Sequence, residues 1–157
     1  MKKFLYLGMV GCVMLSACSG ADTVIKKRWQ NTENTLSLQD ITSKDFTLMD
    51  AGARLEQALE ISLDNSSFIV AGKNARYILK YKILNFEEGS RAMRIATLGL
   101  SDSARSTLKV KAALFREGTM VGGWTIHSWV KGGITGGSED DLFSKAAEEI
   151  VQHLNGK

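Results

Sequence analysis

Three long runs of the chain alternate apolar and basic residues. Residues 75–86 (ARYILKYKILNF) put Tyr77, Leu79, Tyr81 and Ile83 on one side and Arg76, Lys80 and Lys82 on the other. This two-residue period belongs to a half-buried strand. Residues 104–116 repeat the pattern, with Leu108, Val110, Ala112 and Leu114 opposed to Arg105, Lys109 and Lys111. Residues 120–131 turn Trp124, Ile126 and Val130 inward and His127, Trp129 and Lys131 outward. Glu117-Gly118-Thr119 forms a tight return between the last two runs. Residues 36–41 alternate weakly and predict an edge strand, and residues 68–71 predict a short apolar one.

Two stretches carry helical spacing instead. Ala51, Leu55, Ala58 and Leu59 share one stripe, with Thr47 or Asp50 as the expected N-cap and Asp64 to Ser67 as the stop. Near the C-terminus, Ser138-Glu139-Asp140-Asp141 reads as a capping box. It precedes a stripe of Leu142, Phe143, Ala146, Ala147, Ile150, Val151 and Leu154 that ends at Asn155-Gly156. The predicted order is β-α-β-β-β-β-α. Segregated strands and helices argue for an α+β fold: a single antiparallel sheet of four to five strands with two helices packed on one face.

The first residues follow a different logic. Lys2 and Lys3 precede a short apolar run over residues 4–15. That is shorter than the roughly 20 residues of a membrane span, but it suits a signal peptide. The run ends in Leu15-Ser16-Ala17-Cys18, which resembles the lipobox of bacterial lipoproteins. The resemblance implies cleavage before Cys18, a diacylglycerol on its thiol and an acyl chain such as palmitate on its new amino group. Several chains on one residue give a stable anchor. Ser19 in place of Asp at the next position implies sorting to the outer membrane, on its periplasmic face. The expected organisation is a signal peptide over 1–17, a lipidated tether over 18–35 and one α+β periplasmic domain over 36–157. A plain signal peptide, or an N-terminal anchor with a chance cysteine, is the alternative.

Composition supports one globular domain: 157 residues, 44% hydrophobic and 24% charged, without proline. This excludes disorder, collagen and coiled-coil classes. The chain is formally +3, but removing residues 1–17 takes Lys2 and Lys3 with it and leaves +1. Overall charge therefore predicts no nucleic-acid partner. Its distribution says more, because residues 76–131 hold ten basic and four acidic residues. If the strands are neighbours, Arg76, Lys80, Lys82, Arg105, Lys109, Lys111 and Lys131 line one open sheet face beside His127 and Trp129. Like charges across strands destabilise a sheet, so this face is the candidate binding surface for an envelope protein or an anionic lipid. The plainer reading is a solvated face whose lysines guard against edge pairing. Met93, Ile95, Leu98 and Leu100 are apolar enough to meet a partner or a membrane, or else they extend the strands into the core.

Catalytic patterns are sparse. His127 and His153 are the only imidazoles, and they lack the spacing of a zinc site. There is no G-x-S-x-G elbow. Gly132 to Gly137 is glycine-rich, but Glu139, Asp140 and Asp141 follow it and would repel a phosphate from the helix N-terminus. No enzyme activity, cofactor or metal is expected, and a hydrolase remains only the third reading.

The run Phe86-Glu87-Glu88-Gly89-Ser90-Arg91-Ala92-Met93-Arg94 is followed by an apolar stretch to Leu100, a lysine-alternating strand, the return at Gly118, the glycine run and the acid-capped helix. In order and spacing, residues 50–155 resemble the bacterial lipoproteins grouped as domain of unknown function 4410. One departure is Glu117-Gly118-Thr119, where that family often has a Thr-Gly turn. The resemblance implies a small periplasmic α+β lipoprotein domain without a catalytic motif. The expected function is a membrane-anchored, non-enzymatic binding or scaffold subunit in the cell envelope. The alternative is a carrier or chaperone for an amphipathic anion such as lipopolysaccharide or phospholipid.

Overall fold

A computed structural model describes residues 19–27, 34–43, 46–72, 74–89, 105–130 and 138–156. The elements are β1 (Ser19–Lys27), β2 (Thr35–Asp40), α1 (Phe46–Asp64), β3 (Ile69–Val70), β4 (Tyr77–Glu87), β5 (Ser106–Arg116), β6 (Thr119–Val130) and α2 (Asp140–Leu154). The strands form one sheet in the order β1-β6-β5-β4-β2-β3. Both helices pack on the same face, α1 over β2, β3 and β4, and α2 over β1, β5 and β6.

The inward rows are those the alternation predicts. Tyr77, Leu79, Tyr81, Ile83, Leu108, Val110, Ala112, Leu114, Trp124, Ile126 and Val130 are all buried. They meet Ala51, Leu55 and Leu59 from α1 and the whole predicted stripe of α2. Each fully buried leucine contributes roughly 1.5–3 kcal/mol relative to exposure. Two serines interrupt the apolar rows, and both are satisfied as buried polar groups must be. Ser128 donates to the Leu142 carbonyl at 3.0 Å. Ser106 Oγ accepts the buried Gly89 N–H at 2.9 Å.

The sheet departs from expectation in count, order and direction. Among the described residues it has six strands, not four or five, and the element order is β-β-α-β-β-β-β-α. The additional strand is β1, which lies where a tether was expected. It pairs antiparallel with β6 from Ser19↔Val130 to Lys27↔Gly123. As an edge strand it has one open side and needs no continuous apolar row. Ala21 and Thr23 face α2, and Thr23 donates to Glu149 at 3.0 Å. The sheet is also mixed rather than antiparallel, because β2 runs parallel to both β3 and β4. α1 carries the chain back along the covered face, so β3 and β4 start at the same end as β2.

The helix starts show the same interplay. α1 begins at Phe46, so Thr47 and Asp50 lie within its span rather than before it. At α2, Asp141 Oδ2 accepts the Ser138 N–H at 2.7 Å, one half of the predicted capping box. The β5–β6 return uses Glu117 at φ 49° and Gly118 at φ 78°. Two successive left-handed residues match the right-handed twist of the strands they join.

Candidate binding face

No described element covers the face of the sheet away from the helices. Strand parity places Lys80 and Lys82 of β4 and Lys109 and Lys111 of β5 on it, and hydrogen-bonded register brings them together. Lys82 stands opposite Lys111, Lys80 opposite Ala113, and Lys109 between Asn85 and His127. Lys80 Nζ lies over the Phe115 ring, 5.1 Å from its centre. Such a cation–π contact keeps an ammonium in place without a carboxylate partner.

A second cluster forms toward β1. Trp129 pairs across the strands with Gly20 on one side and Thr107 on the other. A Cβ on Gly20 would meet the Trp129 ring at 2.7 Å, so the missing side chain is what lets the indole lie across β1. The Arg105 guanidinium covers this ring at 4.8 Å. His127 meets Trp129 edge-on, with centroids 6.3 Å apart. Asp22 is the cross-strand neighbour of His127 and puts one acid at the border of the basic field.

Of the predicted face, Lys80, Lys82, Lys109, Lys111, Arg105, His127 and Trp129 thus share one surface. Arg76 precedes β4 at the opposite end from Arg105, where its N–H donates to Thr35 Oγ1 at 3.1 Å. Lys131, Cys18, the glycine run at 132–137 and the apolar positions Met93, Ile95, Leu98 and Leu100 lie outside the described residues. Gly20, Asp22 and Phe115 are members that the residue pattern did not single out. Phe115 has the parity of Lys109 and Lys111, and that parity was the available signal. Gly20 and Asp22 had none, because nothing local marks β1 as a strand.

The two histidines stand on opposite sides of the sheet. His127 is exposed on the open face, whereas His153 of α2 stacks on buried Trp124 at 6.0 Å. They do not converge on one cleft. Among the described residues, no group of three His, Cys, Asp or Glu side chains is placed to hold a metal ion. No helix among them is long and apolar enough to cross a membrane.

The helix face has the opposite character. α1 carries Asp50, Glu56, Glu60 and Asp64 against Arg54, and α2 carries Asp140, Asp141, Glu148 and Glu149 against Lys145. Both cations are engaged. Arg54 pairs with Asp140 at 2.8 Å and stacks over Phe143 at 4.4 Å. Lys145 donates to Glu148 at 2.7 Å, and this hydrogen bond holds its ammonium above the usual lysine range. A groove of about 360 Å³ runs between the helices, floored by Ala58, Ile61 and Val151 and rimmed by Asn65, Ser144 and Glu148.

No family model matches the chain, and no curated protein matches it. Among solved structures, it is similar to the PelC dodecamer from Paraburkholderia phytofirmans. That likeness has a TM-score of 0.57 at 12% identity and covers 89% of this chain and 99% of that one. A point variant of the same dodecamer in a second crystal form gives a TM-score of 0.50 at 11% identity, with the same coverage. Protein XCC0632 from Xanthomonas campestris gives 0.49 at 12% identity, over 83% of this chain and 89% of that one. At such identities the PelC likeness shows a shared fold, and a fold alone does not carry a function.

Proposed function

We propose that the protein is a lipoprotein of the type grouped as domain of unknown function 4410. In this reading Cys18 anchors it to the periplasmic face of the outer membrane, and it serves as a non-enzymatic binding or scaffold subunit of the cell envelope. One observation carries the binding reading: four lysines share a sheet face that no described element covers, with Lys82 directly opposite Lys111 at hydrogen-bonded register. Cross-strand repulsion costs stability, and an acidic partner would turn that cost into affinity. The PelC likeness supports a subunit role, since a domain of this fold is there built into a dodecamer.

The position of β1 bears on the anchor. The strand begins at Ser19, the residue after Cys18. A lipid on Cys18 would hold that end of the sheet against the bilayer without a flexible spacer. The carrier alternative needs an enclosed apolar cavity, and the groove between the helices is open and polar-rimmed.

Two measurements test the proposal in envelopes of cells expressing the full chain. Cys18→Ser should move the protein from the membrane to the soluble fraction, and a variant that still fractionates with membranes overturns the anchor. Crosslinking in intact envelopes should recover a discrete complex. Joint replacement of Lys80, Lys109 and Lys111 by Glu should lower its yield by about tenfold or more, as removal of complementary charge does. Recovery of a lipid-loaded monomer instead supports the carrier.

A further inference from the structure

We infer that the acidic partner of the cationic sheet face is the helix layer of a second copy of this chain, docked head to tail. The inference rests on reading that face as a binding surface, and it names what binds there. The molecule is electrically two-sided. Lys80, Lys82, Lys109 and Lys111 occupy one broad face, and the helices on the other carry four acids each against a single, already paired cation.

Symmetry then selects the contact. Packing sheet face on sheet face would set lysines against lysines, and packing helix layers together would set acids against acids. Only the sheet of one copy against the helices of the next brings opposite charges together. Such a contact is heterologous, so it repeats from copy to copy and closes into a ring where the rotation allows.

Shape and polarity agree. Two helices side by side span roughly 20 Å, and α1 is about 28 Å long. The four strands β6, β5, β4 and β2 span about 15 Å between their outer axes, and eleven-residue strands run about 36 Å. The footprints are of one size. Each also carries exposed apolar side chains: Ile61, 58% exposed, stands at the groove between the helices, and Ile78, 38% exposed, pairs with Phe115 at the end of the lysine rows. Apolar side chains beside charged ones are ordinary components of a protein interface.

The arrangement is compatible with anchoring. If the end of the sheet at Ser19 rests on the bilayer, the strands rise from it and the stacking direction runs along the membrane. Every copy then keeps its anchor on the same side.

The test is disulfide crosslinking of the full chain in envelopes. A chain carrying both Ile61→Cys and Lys111→Cys should give dimers, trimers and higher bands under oxidation. Either single variant, and the parent with its native Cys12 and Cys18, should give none. A dimer from Lys111→Cys alone means like faces meet, and it overturns the inference. So does a double variant that stays monomeric while circular dichroism shows it folded. Charge reversal gives a second readout. In the double-cysteine chain, Lys80→Glu with Lys109→Glu should abolish the bands, Glu60→Lys with Asp64→Lys should do the same, and all four together should restore them; failure of the four to restore them overturns the pairing. If no bands form but the envelope complex still depends on the lysines, the face binds a different protein, so the inference falls and the binding reading stands. Bands that persist when Cys18→Ser releases the chain from the membrane support the pairing independently of the anchor.

Discussion

Lys82 and Lys111 stand directly opposite each other on adjoining antiparallel strands. Their ammonium groups repel across a face that no other part of the described chain covers. Lys111→Glu should therefore stabilise the isolated protein by about 0.5 kcal/mol, within the range of cross-strand charge pairs. The gain should shrink in high salt. Urea unfolding at two ionic strengths measures it, and a loss of stability would mean the lysines are held apart by their own conformations. The same substitution should weaken partner binding, which separates a face shaped for docking from one shaped for folding.

Ser106 Oγ is the hydrogen-bond partner of the buried Gly89 N–H among the described residues. Ser106→Ala keeps the size of the site but orphans that donor, so it should cost about 1–3 kcal/mol. Ser106→Thr retains an oxygen and should cost less. Denaturant midpoints for the pair distinguish a lost hydrogen bond from a packing change.

Tyr81 is fully buried, and its hydroxyl makes no hydrogen bond among the described residues. Burial, followed by the charges of Glu56, Asp40 and Glu60, drives its phenol well above the ordinary value of 10.0. The unfolded chain loses this proton first as pH rises past 10. Above that pH the native state binds more protons than the unfolded state, so stability falls until the native phenol itself ionises. Tyr81→Phe should remove this part of the alkaline slope. It should also leave stability at neutral pH unchanged or raise it by about 1 kcal/mol, since an unsatisfied polar atom is deleted. Thermal unfolding between pH 8 and 11 tests both points, and an unchanged slope would remove Tyr81 as its source.

Glu117 adopts φ 49° at the first corner of the β5–β6 return. A left-handed backbone costs a branched or long L-residue about 1 kcal/mol and costs glycine little. Glu117→Gly should gain part of that, offset by the greater freedom of glycine in the unfolded chain. Glu117→Asn tolerates the same backbone and should give the clearer gain. Thermal midpoints of the two variants decide between these contributions.

Much of this architecture was legible in local periodicity. The rows Tyr77–Ile83 and Leu108–Leu114, the stripes of both helices and the return at Gly118 each depend on residues a few positions apart, where burial writes its period straight into the chain. The basic face followed from the same parity. What the sequence by itself determined, then, is which side of each element is dry. Only the tertiary structure decided which strands are neighbours. β1 gains its place from the free edge of β6, and β2 runs parallel because α1 returns the chain. Trp129 can lie over Gly20 only once those strands meet, with Arg105 on the ring and Asp22 beside His127. The pairings of β1 with β6 span about a hundred residues and are set by main-chain hydrogen bonds that nearly any residue can make, so no local pattern records them.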